Sequence, residues 1–245
     1  MNSKLIRAPG LIGAILTVAA LLLPGAAWAA NGAYAVDAAD ISEVGSCKLE
    51  SWISTATNTD FSAVANPSCV VNIGRPVELT LQANRARSDG DWSTTLSPKA
   101  KTVLVPTGIG KFGFSFEAGG SFDAQSGDNT VVFAVVPATY RLSEVMRFNI
   151  NAGWLWDRSV DQHYLSYGLG FDWKFTDTLQ FTIEGYGLAG ATEFSSVNRP
   201  RVQSGVRYRP NEIFSVDLIV GHNITGNGGN WITLGTTVRF PEAFK

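Results

Sequence analysis

The chain has 245 residues, with 19 Lys and Arg against 21 Asp and Glu and a formal net charge of −2. That near balance excludes the basic stripe that a nucleic-acid partner requires. Two cysteines and two histidines are too few for a thiolate or imidazole metal cage, and neither a metal nor another cofactor is expected.

Residues 1–29 read as an export signal. Lys4 and Arg7 make a basic start, residues 11–23 an apolar core, and Ala27-Trp28-Ala29 places small residues at the two positions a signal peptidase reads. The core falls short of the ~20 apolar residues of a membrane-spanning helix. No later apolar run approaches that length. A mature chain that enters a membrane must therefore do so as a closed barrel, which satisfies its backbone hydrogen bonds between strands. Residues 30–45 contain Asp37, Asp40 and Glu43 and no base. A mobile periplasmic tail is the simpler reading; a plug folded up into the lumen is the alternative.

Cys47 and Cys69 form an even pair in an exported chain, which reads as a disulfide near the periplasmic end of the first hairpin. Residues 46–56 and 66–73 alternate poorly but complete a strand set. Val77, Leu79 and Leu81 then oppose Glu78, Thr80 and Gln82, and Phe112, Phe114 and Phe116 oppose Lys111, Ser115 and Glu117. Between them, residues 92–105 put Lys99 and Lys101 on one face, with Pro98 interrupting the ladder. Residues 129–136 are apolar on both faces.

The clearest strand is Met146–Asp157. Met146, Phe148, Ile150, Ala152, Trp154 and Trp156 alternate with Arg147, Asn149, Asn151, Gly153, Leu155 and Asp157, so one face wants hydrocarbon and the other is largely polar or small. The pattern continues to the end. Leu165 to Phe175 oppose Gly168, Gly170, Asp172 and Lys174; Leu179, Phe181 and Ile183 oppose Gln180 and Glu184. Val202 to Tyr208 oppose Arg201 and Arg207, Phe214 to Val220 oppose Asp217, and Ile232 to Phe240 oppose Gly235 and Arg239. The total is about twelve strands, an even number, as in single-chain bacterial barrels. If the C-terminus is periplasmic, turns at 74–76, 105–110, 141–144, 176–178 and 209–212 face the periplasm. Longer connections at 57–65, 86–91, 123–128, 157–162, 190–200 and 223–230 face outward, as such barrels prefer. Trp92, Trp154 and Trp156 gather at one level and Tyr140, Trp173, Phe175, Tyr208 and Phe240 at the other, matching two interfacial girdles.

The segment Thr233-Leu234-Gly235-Thr236-Thr237-Val238-Arg239-Phe240 resembles the C-terminal assembly signal of Gram-negative outer-membrane barrels, with Gly235, Val238 and Phe240 in its glycine, apolar and aromatic slots. Five residues follow Phe240, where that family usually stops. The chain as a whole resembles uncharacterised alphaproteobacterial outer-membrane proteins and, more distantly, transporter-like barrels associated with aromatic-degradation pathways. The resemblance implies an all-β, closed antiparallel transmembrane barrel over residues 46–245, located in the bacterial outer membrane with both termini periplasmic. Its implied partners are outer-membrane lipid, lipopolysaccharide and the barrel assembly machinery.

By parity the lumen takes Lys99, Lys101, Lys111, Arg147, Lys174, Arg201, Arg207 and Arg239 against Glu78, Glu117, Asp172, Glu184 and Asp217. A modest cationic excess suits passage of small polar or weakly anionic solutes. The competing reading is a charge ladder that satisfies itself in a non-conducting structural or interaction barrel. A lipid-modifying enzyme is the distant alternative, because a hydrolase needs His and Ser on one face of a strand. His163 and Ser166 are three apart and face opposite ways, and Ile224 stands two positions after His222. No catalytic residue is therefore expected. The short connection between Met146–Asp157 and the next strand should place Arg147 opposite Asp172 inside, and Phe148 opposite Phe171 outside.

Overall fold

The computed structural model describes residues 33–88, 90–190, 200–225 and 229–244; the expected export signal lies outside them. Twelve antiparallel strands, β1 (Cys47–Ala56), β2 (Phe61–Asn72), β3 (Pro76–Ser88), β4 (Asp91–Val105), β5 (Phe112–Asp123), β6 (Asn129–Arg141), β7 (Met146–Asp157), β8 (Gln162–Lys174), β9 (Leu179–Ala189), β10 (Arg201–Tyr208), β11 (Phe214–Asn223) and β12 (Asn230–Phe240), follow one another around a ring that closes between β1 and β12. We call the rim where β1 begins and β12 ends, with Cys47 opposite Phe240, the near rim, and the other the far rim.

The faces are inverted relative to a soluble protein. Leu79, Ile150, Leu169, Leu218 and Leu234 are exposed on the outside, whereas Glu78, Asp172, Glu184, Arg207 and Asp217 are buried within. A one-residue slip would exchange these sets, turning charges into lipid at ~2–4 kcal/mol each near the bilayer midplane. The β7–β8 pairing joins Arg147 to Asp172, Phe148 to Phe171 and Trp156 to His163, as the sequence pattern predicts.

Pro98 interrupts the β4–β5 ladder as expected, though β4 itself runs on through it. Each of Pro67, Pro98 and Pro137 falls in a gap of one neighbouring ladder, β2–β3, β4–β5 and β5–β6 respectively, where its missing N–H leaves no bond unmade. The far-rim connections are shorter than expected. β2 already starts at Phe61 and β3 persists to Ser88, so only residues 57–60 and 89–90 join the first two far hairpins. Of the remaining far-rim connections, the longest, residues 190–200, lies mostly outside the described residues.

Cys47 and Cys69 are direct cross-strand partners and form a disulfide with Cα atoms 4.0 Å apart. It lies on the outer face near the near rim.

Residues 33–44 run inside the barrel, where the simpler sequence reading had a free tail. Val36, Ala38 and Ala39 are at most 1% exposed. The segment crosses from β10 and β12 toward β4–β7 and descends to the near rim. Residues 241–244 then fold back over its base, with the Phe244 amide donating to the Gly45 carbonyl at 3.1 Å.

Candidate functional site: the lumen and its inserted segment

The lumen is organised around residues 33–44. Glycines make the room. A Cβ on Gly168 would come within 2.8 Å of the Val36 side chain, and one on Gly205 within 2.8 Å of the Tyr34 hydroxyl. Both glycines face inward, Gly168 with Gly170 beside it on the same strand face, so the inserted backbone can approach a wall that side chains elsewhere would occupy.

Polar wall residues hold the inserted backbone. Glu184 accepts the amides of Ala35 at 2.9 Å and Val36 at 3.2 Å, and also the Gln203 side-chain amide at 2.8 Å. The Thr139 hydroxyl accepts the Ala39 amide at 2.8 Å, and Lys101 donates to the Ala38 carbonyl. These bonds satisfy groups that burial would otherwise leave costly.

The acids of the segment meet wall cations. Asp37 lies 3.8 Å from Lys99, which also reaches Glu117 at 3.3 Å. Burial works to raise the Asp37 pKa, but the charges of Lys101, Lys99 and Lys48 outweigh it and hold the carboxyl below its ordinary value. Asp40 lies 3.7 Å from Arg147 and accepts the Thr107 hydroxyl at 2.6 Å.

The other lumen charges pair along the strand register. Arg147 donates through Nε to Asp172 at 2.7 Å, and Asn149 and Thr182 complete that carboxylate's shell. Arg207 grips Asp217 through Nε at 2.7 Å and a terminal nitrogen at 3.1 Å, with the Tyr34 ring 5.3 Å from its guanidinium carbon. Lys174 pairs with Asp177 at 3.2 Å, and Arg239 donates to Ser215 at 3.4 Å. Arg201 lies at the far end beside Tyr186. Lys111 is placed differently: the chain turns between Gly108 and Lys111, β5 begins only at Phe112, and Lys111 is exposed below the wall.

Sequence reading missed several lumen residues. Lys48 and Glu50 on β1 are buried, with Lys48 3.6 Å from Glu50 and 3.5 Å from Glu78. Their alternation with Leu49 and Ser51 was the available signal. Arg209, just past β10, is buried at the near rim; burial and the like charges of Arg239, Arg207 and Arg147 push its pKa down to about 9.

Space remains on both sides of the inserted segment. Toward the near rim a cavity of about 600 Å³ is lined by the acids Glu43, Glu50, Asp177 and Glu212 and the bases Lys48, Lys174, Arg209 and Arg239. Toward the far rim, cavities of about 350 and 280 Å³ share Tyr186 and Arg201.

Gly235 faces inward, and a Cβ there would meet Asp217 at 3.3 Å and Ala33 at 3.5 Å. Val238 pairs with Leu49 and Phe214, and Phe240 is exposed on the outside. His163 stacks at 5.6 Å on both Trp154 and Trp156, and His222 bonds Asn230.

No curated protein matches the chain. Its fold is similar to that of the KdgM porin in complex with disordered oligogalacturonate, at 12% identity and a TM-score of 0.59, covering 79% of this chain and 99% of that one. The NanC porin matches at 8% identity and a TM-score of 0.60, over 78% of this chain and 98% of its own. An outer membrane channel from Pseudomonas putida F1 matches at 12% identity and 0.59, over 82% and 97%. The chain thus has the closed twelve-strand fold of outer-membrane barrels. A family model matches residues 18–240, and the chain belongs to that family, Uncharacterised conserved protein UCP029691.

Proposed function

We propose that this barrel is an outer-membrane channel for small polar or weakly anionic solutes, with both termini periplasmic and residues 33–44 serving as its plug. The observation that carries the reading is the pair of vestibules separated by a thin inserted segment. One strand of backbone stands between the near cavity and the far cavities, and its acids occupy lumen cations that a passing anion could use. Arg209 and Arg239 line the near cavity, in a mouth where acids and bases are equal in number, and offer a passing anion two guanidinium groups there. The KdgM porin, of similar fold, is seen with oligogalacturonate, which fits the same direction of charge preference. The reading assigns the chain no catalytic role, since His163 is sandwiched in the outer aromatic girdle and faces away from Ser166.

Planar-bilayer recording of the purified protein, intact and with residues 30–44 deleted, tests this. The intact barrel should give small or brief openings and the deletion large stable ones, with anions carrying most of the current. The second reading, a non-conducting interaction barrel, is favoured by the complete burial of Val36, Ala38 and Ala39. Silence from both proteins would establish it over the channel.

A further inference from the structure

Across all twelve strands, outward positions carry uncharged or His side chains, with two exceptions. Arg85 and Arg87 on β3 are the only Asp, Glu, Lys or Arg at outward positions among the described strand residues. They sit in the last turn of pleat before β3 ends at Ser88, level with Trp92 of the far aromatic girdle, where an outward charge is least costly.

Their setting is built. The Arg85 guanidinium carbon lies 5.0 Å and that of Arg87 5.6 Å from the centroid of the Trp92 ring, and Phe61 meets the same ring edge-on at 6.0 Å. Arg85 donates to the Thr94 hydroxyl at 2.7 Å and Arg87 to the Thr59 carbonyl at 2.7 Å. Each bond uses one of five guanidinium donors. Among the described residues neither arginine makes an ion pair. Directly toward the membrane centre, Arg85 forms the head of an outer-wall furrow of about 510 Å³, whose floor and sides are Ser51, Ile53, Ala63, Ala65, Ala83 and Leu234. Small outward residues on three adjacent strands, Ser51, Ala63, Ala65 and Ala83, open this furrow in the outer wall.

We propose that Arg85, Arg87 and Trp92 bind the phosphorylated headgroup of lipopolysaccharide while one of its acyl chains lies in this furrow. Two planar forks on an aromatic base match phosphate oxygens, and the apolar slot beneath matches an attached chain and not a free phosphate. The choice of an outer-leaflet glycolipid rests on the orientation proposed above, in which the far rim faces outward.

The test is native mass spectrometry of the refolded mature protein, released from detergent with lipid A or phosphatidylethanolamine added. The intact protein should retain one lipid A and at least tenfold less phosphatidylethanolamine. R85Q/R87Q should lose lipid A retention at least tenfold, while the exposed near-rim variant R75Q retains it. A83F, which fills the furrow and keeps both arginines, should also weaken retention and decides the matter if R85Q/R87Q fails to fold. Equal lipid A retention by all variants, or equal retention of both lipids, overturns the proposal. None of these readouts depends on conduction, so failure here and failure of the channel reading are separable.

Discussion

Glu184 and Val36 meet through a backbone bond: the carboxylate of a wall strand accepts the amide of an inserted residue 148 positions earlier in the chain, while also holding the amide of Ala35. One side chain thus anchors two consecutive peptide groups in the middle of the lumen, and its removal is the most direct way to free them.

Glu184→Ala should therefore loosen the inserted segment without opening the ring. It strands the buried amide of Val36, at ~1–3 kcal/mol, together with the part-buried amide of Ala35, a cost the segment relieves by leaving. The expected result is larger single-channel currents and faster protease cleavage near Ala38, with the unboiled gel mobility of the folded barrel retained. Unchanged currents and cleavage would show that Glu184 does not restrain the segment.

Gly168→Val should act from the neighbouring strand of the same wall. Its new Cβ would lie 2.8 Å from the Val36 side chain, closer than carbon atoms tolerate, so one of the two must move. A cysteine placed at Ala38 should become reactive to a membrane-impermeant thiol reagent in Gly168→Val and remain protected in its absence.

Acid should also release the segment. The Asp37 carboxyl has its pKa held below the ordinary value of about 3.9 by Lys101, Lys99 and Lys48, against the opposing effect of burial, with Glu117 hydrogen-bonded beside it. A depressed pKa contributes stability that is complete above the unfolded value and lost as pH falls through the lower folded one. Conductance should rise as pH falls below about 4, and Asp37→Asn should remove that acid step. A rise already present near neutrality would assign the response to another group.

Arg207 and Asp217 form the most buried ion pair of the lumen, each side chain 1% exposed. Arg207→Leu leaves the Asp217 charge without its partner and should cost ~3–5 kcal/mol, read as a lower urea midpoint for unfolding from detergent or lipid vesicles. Arg207→Leu with Asp217→Leu should recover most of it. Equal losses in the single and double variants would mean that the pair contributes little beyond packing.

Much of this was legible in the chain because a barrel repeats one rule. Alternation with period two assigns each residue a side independently of its neighbours, so a short turn suffices to place Arg147 against Asp172 from two adjacent runs. The same rule failed where its signal was diluted. Lys48 and Glu50 stand among Ser51, Trp52 and Ser54, which blurs the face they share, and Arg85 and Arg87 stand where hydrophilic residues resemble a loop, so that β3 reads shorter than it is. Lys111 erred the other way, because parity carries no information about where a strand stops. The inserted segment has no periodicity of its own. Its trace lies in the wall: Gly168, Gly170, Gly205 and Gly235 mark inward places kept empty, and emptiness on one strand becomes meaningful only once the ring is closed.

The direction of the inserted segment bears on the order of assembly. Ala33 lines the cavity under the far rim, and from there the chain descends through the filled half of the lumen to β1. A ring hydrogen-bonded all round cannot be threaded by an apolar leader without crossing it end to end. If residues 1–29 are an export signal, their removal comes before the segment settles in the lumen, because an attached leader would have to pass along the whole length of the ring with it.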